Sequence, residues 1–257
     1  MLIKTDAIVL RAIKYGEQKL IVDLFTRSHG RLSFVATVPK SAHGKLKKQY
    51  FQPLTLLTIE GDVRQQAQLQ KLREASILTP LPTLLTDPSK LSISLFLSEF
   101  LYHALRSEQR DEPMFDYIAN GIQWLDGRDG SFSNFHLVFL MHLSRFLGFY
   151  PNLEEPSTGI QSPFTLHPSS ATVSLYFDLR AASFCLHPPV HRDFLQPEEA
   201  GMLRLMMRMD YSNMHLFRLN RQQRTRCIEV ALQYYKLHLP DFPDLRSLDV
   251  LHELWNG

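Results

Sequence analysis

The hydrophobic pattern of this chain changes near residue 80, and this change constrains the fold more than any other feature. Before that point, short segments rich in aliphatic and β-branched residues are separated by glycine-containing turns. The predicted strands cover residues 7–13, 19–26, 31–38, 54–60 and 67–75. Short strands spaced roughly ten residues apart are typical of a small β-barrel or a β-sandwich.

After residue 80 the apolar residues recur at helical spacing. A proline-rich linker at 79–90 contains Asp87-Pro88-Ser89, which is a helix start signal. The predicted helices cover residues 90–105, 113–126, 134–147, 197–209, 220–238 and 245–255. An irregular insertion is predicted at about residues 150–195, with a hairpin within 173–186. The sequence therefore predicts an α+β protein with a strand domain at 1–79 and a mainly α-helical domain at 80–257.

The composition excludes several classes of protein. No run of about 18 apolar residues occurs, so a membrane span is not expected. The N-terminus carries Asp6 and lacks a long apolar core, unlike a secretory signal. The two cysteines, Cys185 and Cys227, cannot build a disulfide framework. We therefore expect a protein of the reducing cytoplasm.

Charge is distributed unevenly along the chain. Residues 1–50 hold ten lysines and arginines against three acids, a net charge of +7, whereas the remaining 18 basic and 23 acidic residues give −5. The stretch at 40–51 reads KSAHGKLKKQYF, with four lysines, no acid and two aromatic rings at its end. Such a run is often a solvated face, but a basic loop between two strands of a small barrel favours nucleic-acid binding.

The sequence also supplies further groups for such a site. Single-strand binding combines cations that follow the phosphates with rings that stack on bases. Phe34, Tyr50 and Phe51 are candidate rings, although burial inside the barrel is an equal alternative for each. The candidate phosphate-binding residues are Arg11, Lys14, Arg27, Arg31, Lys40, Lys45, Lys47 and Lys48.

A second basic cluster lies at 204–226, where six arginines accompany a single acid, Asp210. Arg218, Arg221 and Arg224 are its candidate binding residues, for additional DNA contact or for an acidic peptide from a partner. Solvated helix faces paired with distant acids are the alternative.

Sequence motifs give no support for catalysis. Neither GxxxxGK[ST] nor GxGxxG occurs, and GxSxG and HExxH are also absent. Both cysteines fit buried apolar positions better than nucleophiles. Four residues could supply zinc ligands: Cys185, His187, His191 and His167. Their spacing matches no standard zinc module. Loop histidines are the simpler interpretation, and we expect no metal, no other cofactor and no enzyme activity.

Several segments resemble the RecO family of bacterial recombination mediators. Residues 7–41, AIVLRAIKYGEQKLIVDLFTRSHGRLSFVATVPKS, contain the family's Tyr-Gly-Glu turn and His-Gly step. The segments FQPLTLLTIE, LSEFLYHAL, FDYIANGIQWL and FLMHLSRFLGFYPNL follow in the family's order. The segment that begins MHLFRLNRQQRTRCIEV resembles the end of family members from the Bacteroides group. The resemblance covers nearly the whole chain.

The resemblance implies an N-terminal OB-fold barrel followed by a helical domain. It also implies a cytoplasmic DNA repair protein that associates with the nucleoid during repair. Such a protein binds single- and double-stranded DNA, anneals complementary strands, joins RecR and binds the acidic C-terminal tail of the single-stranded-DNA-binding protein. With RecR it helps to load RecA at gaps. Many members carry a four-cysteine zinc element after the LGFYPNL position, but Asn152–Pro156 contain no cysteine here, so zinc is not carried over.

Two other functions fit the residues. A protein-interaction scaffold would use the basic loop for an acidic partner and would have no intrinsic affinity for DNA. A hydrolase built from histidines and aspartates would need a deep pocket with convergent polar groups instead of an open basic groove.

Overall fold

The computed structural model describes residues 1–38, 46–64, 67–106, 109–156 and 175–254. The chain forms two compact units, one made of residues 1–132 with 242–257 and one made of residues 133–241. The first unit thus combines the strands with helices, and the domain boundary predicted between residues 79 and 80 stays a prediction.

Five strands close into a barrel in the first unit. The strands are β1 (Leu2–Lys14), β2 (Lys19–Thr26), β3 (Gly30–Thr37), β4 (Leu56–Asp62) and β5 (Gln70–Thr79). Their order around the barrel is β1-β2-β3-β5-β4, and the short β3–β5 pairing is parallel while the others are antiparallel. This arrangement confirms the predicted five-stranded OB-type barrel and sets aside the sandwich.

Strand β1 is buried on both faces over its middle portion. Ala7 and Val9 belong to the barrel core, while the alternate residues Ile8 and Leu10 are also buried. Helix α1 (Pro88–Ala104) contacts β1, and its Ser98 hydroxyl donates to the Leu10 carbonyl at 2.6 Å. Because side chains alternate across a strand, this burial pattern requires one apolar face toward the barrel interior and another toward the helix.

Two further helices complete the first unit. Helix α2 (Glu112–Asp126) follows α1, and the C-terminal helix α6 (Ser247–Leu254) packs back against α1. Asp87 caps α1 by accepting from the backbone amides of Ser89 and Lys90, as the helix start signal predicted. Glu99 accepts hydrogen bonds from the backbone amides of Arg246 and Ser247 and thereby supports the start of α6.

The described part of the second unit contains three α-helices and a small sheet. The helices are α3 (Phe135–Phe146), α4 (Pro197–Met207) and α5 (Arg221–His238), and the strands are β6 (Tyr176–Asp178), β7 (Ser183–Cys185) and β8 (Phe194–Leu195). The antiparallel β6–β7 pair confirms the predicted hairpin, and β8 adds a third strand. Tyr234 and Tyr235 of α5 are buried and donate to the carbonyls of Phe149 and Leu140. No helix in the described ranges is long and apolar enough to cross a membrane.

Candidate nucleic-acid interface

Three basic side chains line a groove at one end of the barrel. The groove has a volume of about 350 Å3, and its cations are Arg11, Lys14 and Lys48. Leu20 and Phe51 contribute apolar surface, and none of the described residues that line it is acidic. A groove with three cations and no opposing carboxylate attracts an anionic polymer.

The strand ends and one short helix position these cations. Lys14 is the last residue of β1 and precedes the turn at Gly16, whose φ of 77° is readily adopted by glycine. Lys48 begins a 3-10 helix (Lys48–Phe51) that is anchored in the barrel core by the buried side chains of Leu46 and Phe51. The ammonium groups therefore extend from a rigid frame.

Two predicted phosphate-binding arginines are engaged with protein groups instead. Arg27 lies 2.5 Å from the Asp116 carboxylate and over the Phe115 ring. The Arg31 side chain is 12% exposed and donates to the Tyr102 carbonyl at 2.8 Å. Their contact with phosphates stays a prediction, and we assign the groove to Arg11, Lys14 and Lys48.

The remaining members of the predicted basic loop differ in their placement. Lys47 is exposed, with its ammonium 5.8 Å from the centre of the Tyr50 ring. Lys40 and Lys45 lie outside the described residues. Among the candidate stacking rings, Phe34 and Phe51 are buried in the barrel core and Tyr50 is partly buried against it. Burial, the alternative considered for these rings, thus holds for Phe34 and Phe51.

A larger cleft of about 590 Å3 adjoins the groove. The two share Arg11, Ala12 and Pro53, and the cleft continues between β1, helix α1 and residues 243–246. Its aromatic wall is Tyr102, over whose ring lie the guanidinium groups of Arg11 and Arg31, 4.8 and 4.2 Å from the ring centre. Tyr102 was not predicted as a site residue, because nothing in the local helical pattern indicates which side chains it meets.

The ionisable groups of this cleft differ in charge at neutral pH. Burial lowers the pKa of His103, and the nearby Arg31 and Arg11 lower it further against the opposing effect of Glu99, so the ring is neutral at pH 7. Burial raises the pKa of Glu99, but hydrogen bonds from Ser247 and Arg246 outweigh this effect and leave the pKa lowered. Glu99 is therefore ionised.

The three candidate residues of the second basic cluster differ in exposure and in hydrogen bonding. Arg218 and Arg221 are exposed, whereas Arg224 is partly buried and donates to Asn134 Oδ1 at 3.3 Å and to the Leu219 carbonyl at 3.0 Å. In the same cluster, Arg204 pairs with Glu155 and Arg226 with Glu199. Pairing with distant acids, the alternative considered for this cluster, therefore applies to part of it.

Replacing Arg224 by alanine is expected to lower the free energy of unfolding by about 1–3 kcal/mol, because the Asn134 side chain and the Leu219 carbonyl lose a charged donor. The expected change in DNA affinity is less than twofold. Chemical denaturation and oligonucleotide titration measure the two quantities. Arg221→Ala is the matched control, since its side chain is exposed on the same helix, and it should leave stability unchanged. A destabilisation by Arg221→Ala equal to that of Arg224→Ala would contradict this division of roles.

Three of the four candidate metal ligands, Cys185, His187 and His191, lie in the described residues. Within the described parts of the chain, no three histidine, cysteine, aspartate or glutamate side chains are grouped to hold a metal ion. His191 lies 3.3 Å from Asp178, and burial raises the pKa of the Cys185 thiol, which disfavours the thiolate that zinc requires. His167 lies outside the described residues. Burial also raises the pKa of Cys227 to about 11.

Comparisons with known proteins match nearly the whole chain. Residues 1–81 match the family described as recombination protein O N terminal, and residues 85–249 match recombination protein O C terminal. The DNA repair protein RecO of Phocaeicola vulgatus is 47% identical over 256 residues, and that of Bacteroides fragilis is 46% identical over 257 residues. The DNA repair protein RecO of Flavobacterium psychrophilum is 33% identical over 258 residues. In all three alignments, 100% of each chain is covered.

Proposed function

The chain belongs to the RecO family of DNA repair and recombination proteins, and from this premise we propose that it is a recombination mediator whose barrel groove binds DNA. The family is not a family of enzymes, in agreement with the sequence prediction. The observation that carries the proposal is the groove of Arg11, Lys14 and Lys48, in which no described lining residue is acidic.

The mechanism requires no covalent chemistry. Cations in the groove neutralise phosphates and release the counterions condensed on the strand, which provides most of the binding free energy at low salt. Two complementary strands repel each other less when their phosphates are neutralised, so annealing becomes faster. The same groove serves single- and double-stranded DNA, because it contacts the phosphate backbone that both forms carry.

The proposal extends to the protein partners implied by the family. These partners are RecR and the acidic tail of the single-stranded-DNA-binding protein, and their joint action would load RecA at gaps in the cytoplasm, at the nucleoid. The exposed Arg218 and Arg221 are the basic side chains of the second unit that we propose for an acidic tail or for further DNA contact.

Fluorescence anisotropy of a labelled single-stranded oligonucleotide, titrated with the protein at several salt concentrations, tests this function. We expect binding that weakens steeply as salt rises, together with accelerated annealing of complementary oligonucleotides. The absence of binding even at low salt would contradict the proposal. Retained binding of RecR without affinity for DNA would instead support the interaction scaffold.

A further inference from the structure

The groove and the adjoining cleft meet at Arg11 but differ in charge. Among the described residues, the groove adds Lys14 and Lys48 to Arg11, which gives three positive charges. In the cleft, Arg11 and Arg246 are accompanied by Glu99 and Asp244. Over the described lining residues, the surface therefore passes from a strongly cationic groove to a cleft in which two positive and two negative formal charges balance.

Beside the cleft, Tyr102 takes part in a cation–ring stack that is anchored by Arg31, a residue that does not itself line the cleft. Arg31 is fixed by its bond to the Tyr102 carbonyl and lies 4.0 Å from the Asp23 carboxylate. Its guanidinium and that of the exposed Arg11 both lie over the Tyr102 ring. Guanidinium planes and aromatic rings are the two protein surfaces on which unpaired bases stack.

We propose that this cleft receives one unpaired base of a DNA strand whose phosphates lie in the barrel groove. This inference rests on the proposed DNA binding and adds a base-binding subsite on helix α1, outside the barrel. The Arg11 guanidinium, held over Tyr102, forms the stacking surface at the point where groove and cleft join.

The chemistry of the cleft favours a base over other occupants. A phosphate or an acidic peptide would gain more electrostatic binding free energy in the cationic groove than in the cleft, where the formal charges balance. Leu10, Leu95, Pro53 and Pro243 give the cleft apolar walls, and its volume falls within the roughly 300–1,000 Å3 typical of small-molecule sites. A base inside a duplex is stacked on its neighbours and cannot enter. The cleft therefore confers a preference for single strands that the groove alone lacks.

Three probes of equal length separate the two halves of the surface. They are an oligothymidylate, a strand of abasic nucleotides with the same number of phosphates, and a duplex. We expect the wild-type protein to bind oligothymidylate more tightly than the abasic strand. Tyr102→Leu should weaken oligothymidylate binding about tenfold, the scale of one stacked base, while binding of the abasic strand and of the duplex stays within twofold.

Two variants serve as controls. One keeps the ring at position 102, and the other removes a tyrosine elsewhere that also lies against an arginine. Tyr102→Phe keeps the ring under Arg11 and should retain the preference for bases. Tyr150→Leu removes a ring of the second unit over which Arg145 lies at 4.5 Å, and it should leave all three affinities unchanged. Thermal denaturation of each variant reports whether the fold is kept.

The outcomes distinguish this inference from the proposed function. Tight, salt-dependent binding of the abasic strand by the wild-type protein supports the groove. Equal wild-type affinity for the abasic strand and oligothymidylate would overturn the base subsite and leave the groove in place. Equal weakening of all three probes by Tyr102→Leu would also overturn the subsite. No binding of any probe by the wild-type protein would overturn both.

Discussion

Replacing Lys14 and Lys48 together by glutamine is expected to weaken single-stranded DNA binding about 25-fold at 0.1 M salt. Each phosphate contact on a single strand releases ~0.7 of a counterion. Two lost contacts therefore lower the salt slope by about 1.4 in log–log units. Both side chains are exposed, and no ion pair holds either one within the described part of the chain. The change therefore removes charge from the groove without removing a structural contact.

The matched control is the double variant Lys4→Gln and Lys71→Gln. It removes the same charge from the same barrel, but near the opposite end of β1, where Lys4 pairs with Glu60 and Lys71 lies opposite Asp62. We expect its salt slope to stay close to that of the wild-type protein. If both double variants lost affinity equally, net charge rather than the groove would explain the binding. Anisotropy titrations between about 50 and 300 mM salt measure both slopes. This range includes ~0.1 M, where the Debye length is about 10 Å.

Replacing Asp126 by alanine is expected to lower the free energy of unfolding by about 2–5 kcal/mol, because two backbone amides lose their acceptor. Asp126 Oδ1 accepts from the backbone amides of Thr83 and Leu84 at 2.9 and 2.7 Å. The buried Lys90 donates to the Thr83 hydroxyl at 2.6 Å and to the Asp126 carbonyl at 2.8 Å. Alanine would leave the two backbone amides and one contact of the Thr83 hydroxyl without their acceptor, whereas the backbone carbonyl that Lys90 contacts is kept. Denaturant titration of the isolated protein measures this loss.

Two further substitutions separate the contributions of Asp126. Asp126→Asn keeps an oxygen acceptor for the amides and removes the charge. We therefore expect it to lower the free energy of unfolding by less than Asp126→Ala does. Lys90→Met fills the same space without a charge, and because replacing a buried ion by an apolar residue of similar volume is often close to neutral, we expect a smaller loss than for Asp126→Ala. A loss below about 1 kcal/mol for Asp126→Ala would show that this network contributes little to the linker between the barrel and α1.

The strands and helices were largely predictable because their apolar periodicity is strong. Strand β2 was predicted at the bounds observed, and β3 within one residue at each end. Strand β1 begins at Leu2, well before the predicted residue 7. Its first part was missed because exposed Leu2 and Lys4 alternate with buried Ile3 and Thr5, so no continuous apolar run marks it. Strand β5 was placed too early, since it has few β-branched residues and its boundary depends on pairing with β4.

The site was less predictable because long-range partners decide which cations are available. The sequence shows Arg27 and Arg31 as basic residues near a turn, but it does not show that Asp116 and the Tyr102 carbonyl engage them. Lys14 and Lys48 are exposed, and their predicted contact with DNA stays a prediction. Local patterns also could not indicate that Tyr102, one ring on helix α1, faces two arginines of the barrel.

The measurement that tests the barrel groove most directly is photocrosslinking of a single-stranded oligonucleotide substituted with 5-iododeoxyuridine, followed by mass spectrometry of the crosslinked peptides. Because the groove is formed by the end of β1 and the 3-10 helix, we expect crosslinks within residues 9–15 and 48–53. Crosslinks confined to residues 215–226, with none in those two segments, would place the strand on the second basic cluster and contradict the groove.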